Sequence, residues 1–424
     1  MKRAARWASM LFAAAALPAA WLGCSNIAHA QSVAQAASTG VEVQTRGPVH
    51  EAFAEPVVFN AAAGLVVPVQ PPAPVHEIAP SVKPAGAHVV WLPGYWGWDD
   101  DRQDFLWISG VWRVPPPNSR WIPGYWSKAK EGFLWSPGFW VASGTAQIKY
   151  LPPPPKSQET GPSRPAPSAN HFYIPGHWRP RGEQYVWQAG YWSQAKPGWV
   201  WTPACSLLTP AGAVFVPGRW DYPLARRGLL FAPEAMDADA AARPGFRFTP
   251  RYVVNTRALT DHLFVRADYR HYYFGDYYDA RYANAGFLPW FAFQDGGLGY
   301  VPDYAYARWL YGRDTPDWDA RMRAGYQARL DGAEDRPPKD WAALQAQAAA
   351  RGAGKAGPIV MSLNDLMRSQ ASPLSLVHVN KNALARAAGL SEHVKSLAAQ
   401  RSKLETGAGG KLDLGRAEEA PLTI

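Results

Sequence analysis

The sequence predicts a mainly β protein: an antiparallel meander of short Trp-rich hairpin repeats in two blocks, followed by a helical C-terminal region. Three observations carry this. A phrase W-x-P-G-x-W recurs at near-constant spacing, polar turns alternate with apolar runs of strand length between its copies, and apolar residues recur at helical spacing from residue 315 onward.

Copies begin at Trp91 (WLPGYW), Trp107 (WISGVW), Trp121 (WIPGYW), Trp135 (WSPGFW), Tyr173 (YIPGHW), Trp187 (WQAGYW) and Phe215 (FVPGRW), with a worn copy at Trp201 (WTPACS). The steps are 16, 14 and 14 residues in the first group and 14 throughout the second. Pro-Gly suits the centre of a type II turn, where Gly takes the positive φ. Trp121 and Trp126 would then face each other across two strands, a pair worth about 0.5–1.5 kcal/mol beyond its burial. The favoured reading is a tight chain reversal. Type II turns splay hairpin strands, so the alternative is a corner between strands of different sheets. A second, polar turn lies at residues 127–132 (SKAKEG). Side chains alternate along a strand, so Ile122 and Tyr125 face away from the Trp pair, and both sheet faces are apolar.

Residues 1–30 read as a signal peptide: Lys2, Arg3 and Arg6, then an apolar stretch over 10–22, then Ala28-His29-Ala30 as a cleavage site before Gln31. Cys24 is a candidate for lipidation instead, although Trp21 stands where a lipoprotein signal has Leu. Residues 31–86 are rich in Pro and Ala and read as extended and mostly unpacked, with 48–59 apolar enough to dock on the core. Repeat block 1 spans 87–143, and its acidic loop 99–104 (DDDRQD) reads as an exposed hairpin tip. Residues 144–170 form a Pro-rich linker or edge-wrapping arm, and block 2 runs over 171–250 with degraded end units. Residues 251–312 read as an aromatic, Tyr-rich β segment. The run HYYFGDYYDARY (271–282) tiles a sheet face with hydroxyls at the water boundary, or lines a binding surface. Residues 313–424 read as a helical, partly disordered tail. Its first helix is capped by Thr315-Pro316 and presents Trp318, Met322, Tyr326 and Leu330 on one face; others are expected near 339–351, 363–369, 382–388 and 392–405.

The chain holds 21 Trp and 40 Pro in 424 residues and a formal charge of +9, or +6 once Lys2, Arg3 and Arg6 are removed. No dense basic run points to nucleic acid, and no later apolar run reaches the ~20 residues of a membrane span. Nucleophile-elbow, phosphate-loop and zinc-helix motifs are missing, so neither catalytic residues nor a cofactor or metal are nominated. His171 and His177 could come close but read as packing. Cys205, alone once Cys24 leaves with the signal, reads as a small buried filler.

The phrase and its spacing resemble the WXXGXW-repeat family of secreted bacterial proteins. The likeness extends to VEVQTRGPVHEAFA (41–54), WDDDRQDFLW (98–107) and LFVRADYRHYYFGDYY (263–278), covering about residues 40–310. It resembles the long, planctomycete-like envelope form, which implies a periplasmic, cell-envelope or extracellular location and no particular activity. A small relative with the phrase is a lipoprotein, which implies the anchored option at Cys24. The expected function is a non-catalytic structural scaffold with envelope proteins or polysaccharide as partners. The alternative is a polysaccharide or surface-ligand binding module, with Trp96, Trp112, Trp126, Trp140, Trp178 and Trp192 as candidate stacking faces.

Overall fold

In the computed structural model, which describes residues 40–351, 357–369, 373–407 and 411–414, short antiparallel strands pair in sheets of two to four. Helices gather in the C-terminal region, so the fold is mainly β with a helical end. The signal segment and Cys24 lie outside the described residues.

Four kinked hairpins form the body: unit 1 (90–113), unit 2 (119–142), unit 3 (171–194) and unit 4 (200–221). In unit 2, Ser119–Ile122 pairs with Phe139–Ala142, and inside it Tyr125–Ala129 pairs with Gly132–Ser136. The chain reverses at the polar turn, where Gly132 takes a φ of 132°. Units 3 and 4 reverse likewise, with Gly182 at 66° and Gly212 at 128°.

The W-x-P-G-x-W phrase is therefore a corner and not a reversal. Trp121 pairs with Trp140, and Trp126 with Trp135; the expected Trp121–Trp126 pairing does not occur. The reason is local. Pro123-Gly124 and Pro137-Gly138 fall between the two ladders, and proline has no N–H to offer either of them. The same nesting places Trp91 on Trp112, Trp96 on Trp107, Tyr173 on Trp192, Trp178 on Trp187 and Trp201 on Trp220. All seven ring pairs have centroids 5.1–5.5 Å apart and planes inclined by 55–79°, the edge-on geometry that ring quadrupoles favour.

The Pro-rich N-terminal stretch is woven into this body, against the expectation of an unpacked segment. Gly47–Pro48 pairs with His271–Phe274, Val57–Val58 with Gly299–Tyr300, Val66–Val67 with Gly132–Ser136 and Val82–Pro84 with Leu376–His378. Two-residue strands flanked by prolines suit edges, where one side of the strand needs no donor.

Residues 251–312 hold the strands Tyr252–Val254, Leu263–Arg266, His271–Phe274 and Phe287–Pro289, but also the helices Trp290–Asp295 and Pro302–Asp314. The first helix of the expected tail begins at Trp318, past the Thr315-Pro316 cap, and runs to Leu330. Two helices expected over 382–405 are one, Lys381–Thr406, capped by the Asn380 side chain; Gly389 does not break it. This helix packs on the strands Val90–Leu92 and Tyr125–Ala129. Its Leu397 joins Ile122, Phe139, Leu207 and Val216 in one apolar cluster, and its Ala387 joins Trp91, Trp112 and Phe231 in another.

Candidate functional site

In units 1 to 3 the corner turns glycine N–H groups away from the ladders, and a glutamate from a separate stretch of chain accepts them. In unit 1, Glu77 takes Gly94 N–H (2.8 Å), Gly110 N–H (2.9 Å) and the Trp107 indole N–H (3.0 Å). In unit 2, one oxygen of Glu51 takes Gly138 N–H (2.9 Å) and Gly124 N–H (3.2 Å). In unit 3, Glu159 takes Gly176 N–H and the Tyr173 hydroxyl (3.0 Å). Glu51 and Glu77 end the same tetrapeptide, Pro-Val-His-Glu, at 48–51 and 74–77. Sequence reasoning passed over these glutamates; the repeated tetrapeptide was the signal that could have found them.

The glycines are required by close approach. None of the phrase glycines takes a positive φ, so the expected type II turn is absent. Instead the first ring of the opposite phrase lies over each one. A Cβ would meet the Trp107 ring at 2.9 Å from Gly94, Trp91 at 2.5 Å from Gly110, Trp187 at 2.5 Å from Gly176 and Trp201 at 2.6 Å from Gly218. At Gly124 and Gly138 the Trp135 and Trp121 rings are nearer still. Unit 4 departs in two linked places: Ala204 holds a glycine position, and the opposite ring is Phe215, smaller than indole.

Unit 2 is gripped from its other side by the long helix. Arg401, fully buried, donates to the carbonyls of Pro123 (2.9 Å) and Pro137 (2.8 Å) and pairs with Glu405 at 2.6 Å. Glu405 also accepts the hydroxyls of Tyr125 (2.5 Å) and Tyr150 (2.8 Å). In unit 1 the Pro93 carbonyl meets His50 Nε2 at 3.1 Å, so one tetrapeptide touches two units. Burial pushes the Glu51 carboxyl up to about 8, against the pull of the two glycine N–H groups and Arg401. It pushes Glu77 up to about 7 against its three donors.

The candidate stacking tryptophans separate into two groups. Trp96, Trp112 and Trp140 are buried, which corrects the expectation that they offer open faces; each is covered by its partner ring and the surrounding core. Trp126, Trp178 and Trp192 are half-buried. Their indole N–H groups donate to the carbonyls of Trp96, Lys156 and Arg164, and that of Trp96 donates to Ala73. Extended segments thus deliver carbonyls as well as carboxylates to the repeats.

Other expectations are also relocated. The acidic loop is a hairpin tip exposed over residues 101–104, as expected, but tied down at its base, with Asp99 buried and Asp101 bound by Arg46 (2.6 Å) and the Tyr282 hydroxyl (2.6 Å). Tyr272, Tyr273, Tyr277, Tyr278 and Tyr282 lie inside the core and not at a water boundary. His171 bonds Ser168 and His177 stacks on Phe215, so they have separate partners. Cys205 is half-buried, 3.7 Å from an Arg270 nitrogen, and burial raises its thiol.

Unit 3 is the most exposed repeat, and an open cleft of about 1180 Å³ lies between it, the arm 159–169 and the helices Trp290–Asp295, Pro302–Asp314 and Trp318–Leu330. Aromatic rings and arginines share its walls.

Kinked hairpins with facing rings, glycine at all but one corner position and, in units 1 to 3, a glutamate closing the corner define an aromatic β-repeat protein. The family model described as "WXXGXW repeat (2 copies)" matches residues 89–113, 120–141 and 169–193, and these three stretches are repeats of that family. Unit 4 lies outside the matched spans yet keeps the Trp201–Trp220 pair. No curated protein and no solved structure matches the chain.

Proposed function

We propose that the chain is a non-catalytic scaffold of the cell envelope, exported by residues 1–30 and then either released at Ala30 or anchored through Cys24. The observation that supports a scaffold is how the repeated groups are used. The indoles of units 1 and 2 face each other, the corner N–H groups meet the chain's own glutamates, and the tail helix clamps unit 2. Among the described residues no helix is long and apolar enough to cross a membrane. The test is fractionation and intact mass of the tagged full chain. Recovery with the envelope, beginning at Gln31 or carrying lipid on Cys24, is expected. A cytoplasmic product with residues 1–30 intact would overturn the export reading. For the scaffold itself, Trp121→Ala with Trp126→Ala should lower stability by at least about 3 kcal/mol; an unchanged melting temperature would count against it.

A binding role is the second reading. Its support is confined to unit 3, where Trp178 and Trp192 are half-open and the cleft lies alongside.

A further inference from the structure

We propose that the cleft beside unit 3 binds a carboxylated glycan strand. This goes beyond the scaffold reading, which survives if the cleft binds nothing.

The first argument is charge. Every carboxylate in the lining is already engaged within the chain. Asp295 and Asp319 both pair with Arg323, at 2.6 and 2.9 Å, and Glu159 closes the unit 3 corner. Arg308 and Arg313 are exposed and have no carboxylate partner among the described residues. The uncommitted charge of the cleft is therefore cationic, and guanidinium forks match carboxylates bidentately.

The second argument is the apolar surface. Tyr173, Trp192 and Trp318 line the cleft half-buried, each with ring area still open. Aromatic faces with polar edges suit the flat apolar face and hydroxyl rim of a pyranose, where an extended acidic peptide offers no equivalent ring. Trp309, 9% exposed and beneath Arg313 at 5.4 Å, also lines the cleft, and its indole N–H has no partner. A buried donor left open beside a cavity is a place for a ligand acceptor. The volume exceeds the ~300–1,000 Å³ of small-molecule pockets and leaves room for several rings.

Calorimetric titration of the full chain with a galacturonic acid hexamer tests this. Binding is expected, weakened about tenfold or more in the Arg308→Ala/Arg313→Ala double variant and with the methyl-esterified hexamer. A hexaglutamate peptide should bind about tenfold more weakly than the sugar acid. Both arginines are exposed, so the double variant should melt with the parent. No binding of the hexamer, equal binding of its ester or of the peptide, or an unchanged affinity in the double variant each overturns the proposal.

Discussion

Glu51 and Arg401 hold the same two peptide groups from opposite ends. The Pro123–Gly124 and Pro137–Gly138 peptides give their N–H groups to Glu51 and their carbonyls to Arg401. These peptides belong to neither ladder, so without the two side chains four buried polar groups would stand open. A residue near the start of the fold and one near its end thus fix a corner in the middle.

Removing the acid should be costly. Glu51→Ala strands both glycine N–H groups and is expected to lose about 2–5 kcal/mol. Glu51→Gln keeps an acceptor and should lose about 1–2 kcal/mol. Glu159→Ala, at a half-exposed corner, should lose less than about 1 kcal/mol because water replaces the carboxylate. Denaturant titration of the three variants checks the order.

Arg401→Met should release the helix from unit 2. Glu405 would keep only its two tyrosine donors in a dry site, at a cost of about 3–5 kcal/mol. Hydrogen exchange over 381–406 is expected to rise well before the inner ladders of units 1 and 2 open.

The linked departure in unit 4 gives a steric test. Gly218→Ala places a methyl against Trp201 and should lose about 1–3 kcal/mol. Adding Trp201→Phe makes the room that Phe215 already leaves for Ala204, so the double variant should recover part of that loss. A coupling energy of about 1 kcal/mol or more in a double-mutant cycle is expected; strict additivity would contradict the assignment.

Stability should also fall between pH 6.5 and 8. Glu51 and Glu77 are raised by burial to about 8 and about 7 from an ordinary 4.5, so over this interval the native state keeps protons that the unfolded chain has lost. Stability contributed in this way declines as pH rises. His50, lowered by burial to about 4, and His262 and His271, lowered to about 3, act in the opposite sense around and below their ordinary 6.5, and offset part of the decline at the lower edge of this window. Buried Glu234, also raised, adds to the decline. A loss of about 2 kcal/mol across the window is expected, and Glu51→Gln/Glu77→Gln should flatten most of it.

The aromatic repeat was legible because its period is a property of neighbouring residues. Alternation and the polar turns gave the strands and their facing rings. What pairs with what was not: Trp121 meets Trp140 and not Trp126, because the ladder breaks at Pro-Gly, and that break depends on a glutamate about seventy residues earlier. Glycine pointed to the correct place for the wrong reason, since crowding by an indole and a positive φ select the same residue. The tail read as helical from its 3.6-residue period, yet its grip on the unit 2 corner comes from one buried arginine that composition gives no reason to prefer over its neighbours. The cleft is assembled from three distant stretches and left no trace in any local pattern.

The outside carboxylate also limits how such an array can grow. A gene duplication that copied only the aromatic hairpin would produce a module whose corner amides have no acceptor. To repeat the corners of units 1 to 3, the copied segment must carry its own proline-rich tether, or an existing stretch must already lie within reach. Two identical tetrapeptides, at 48–51 and 74–77, both precede unit 1, so the tether repeats as a block of its own ahead of the hairpins it serves.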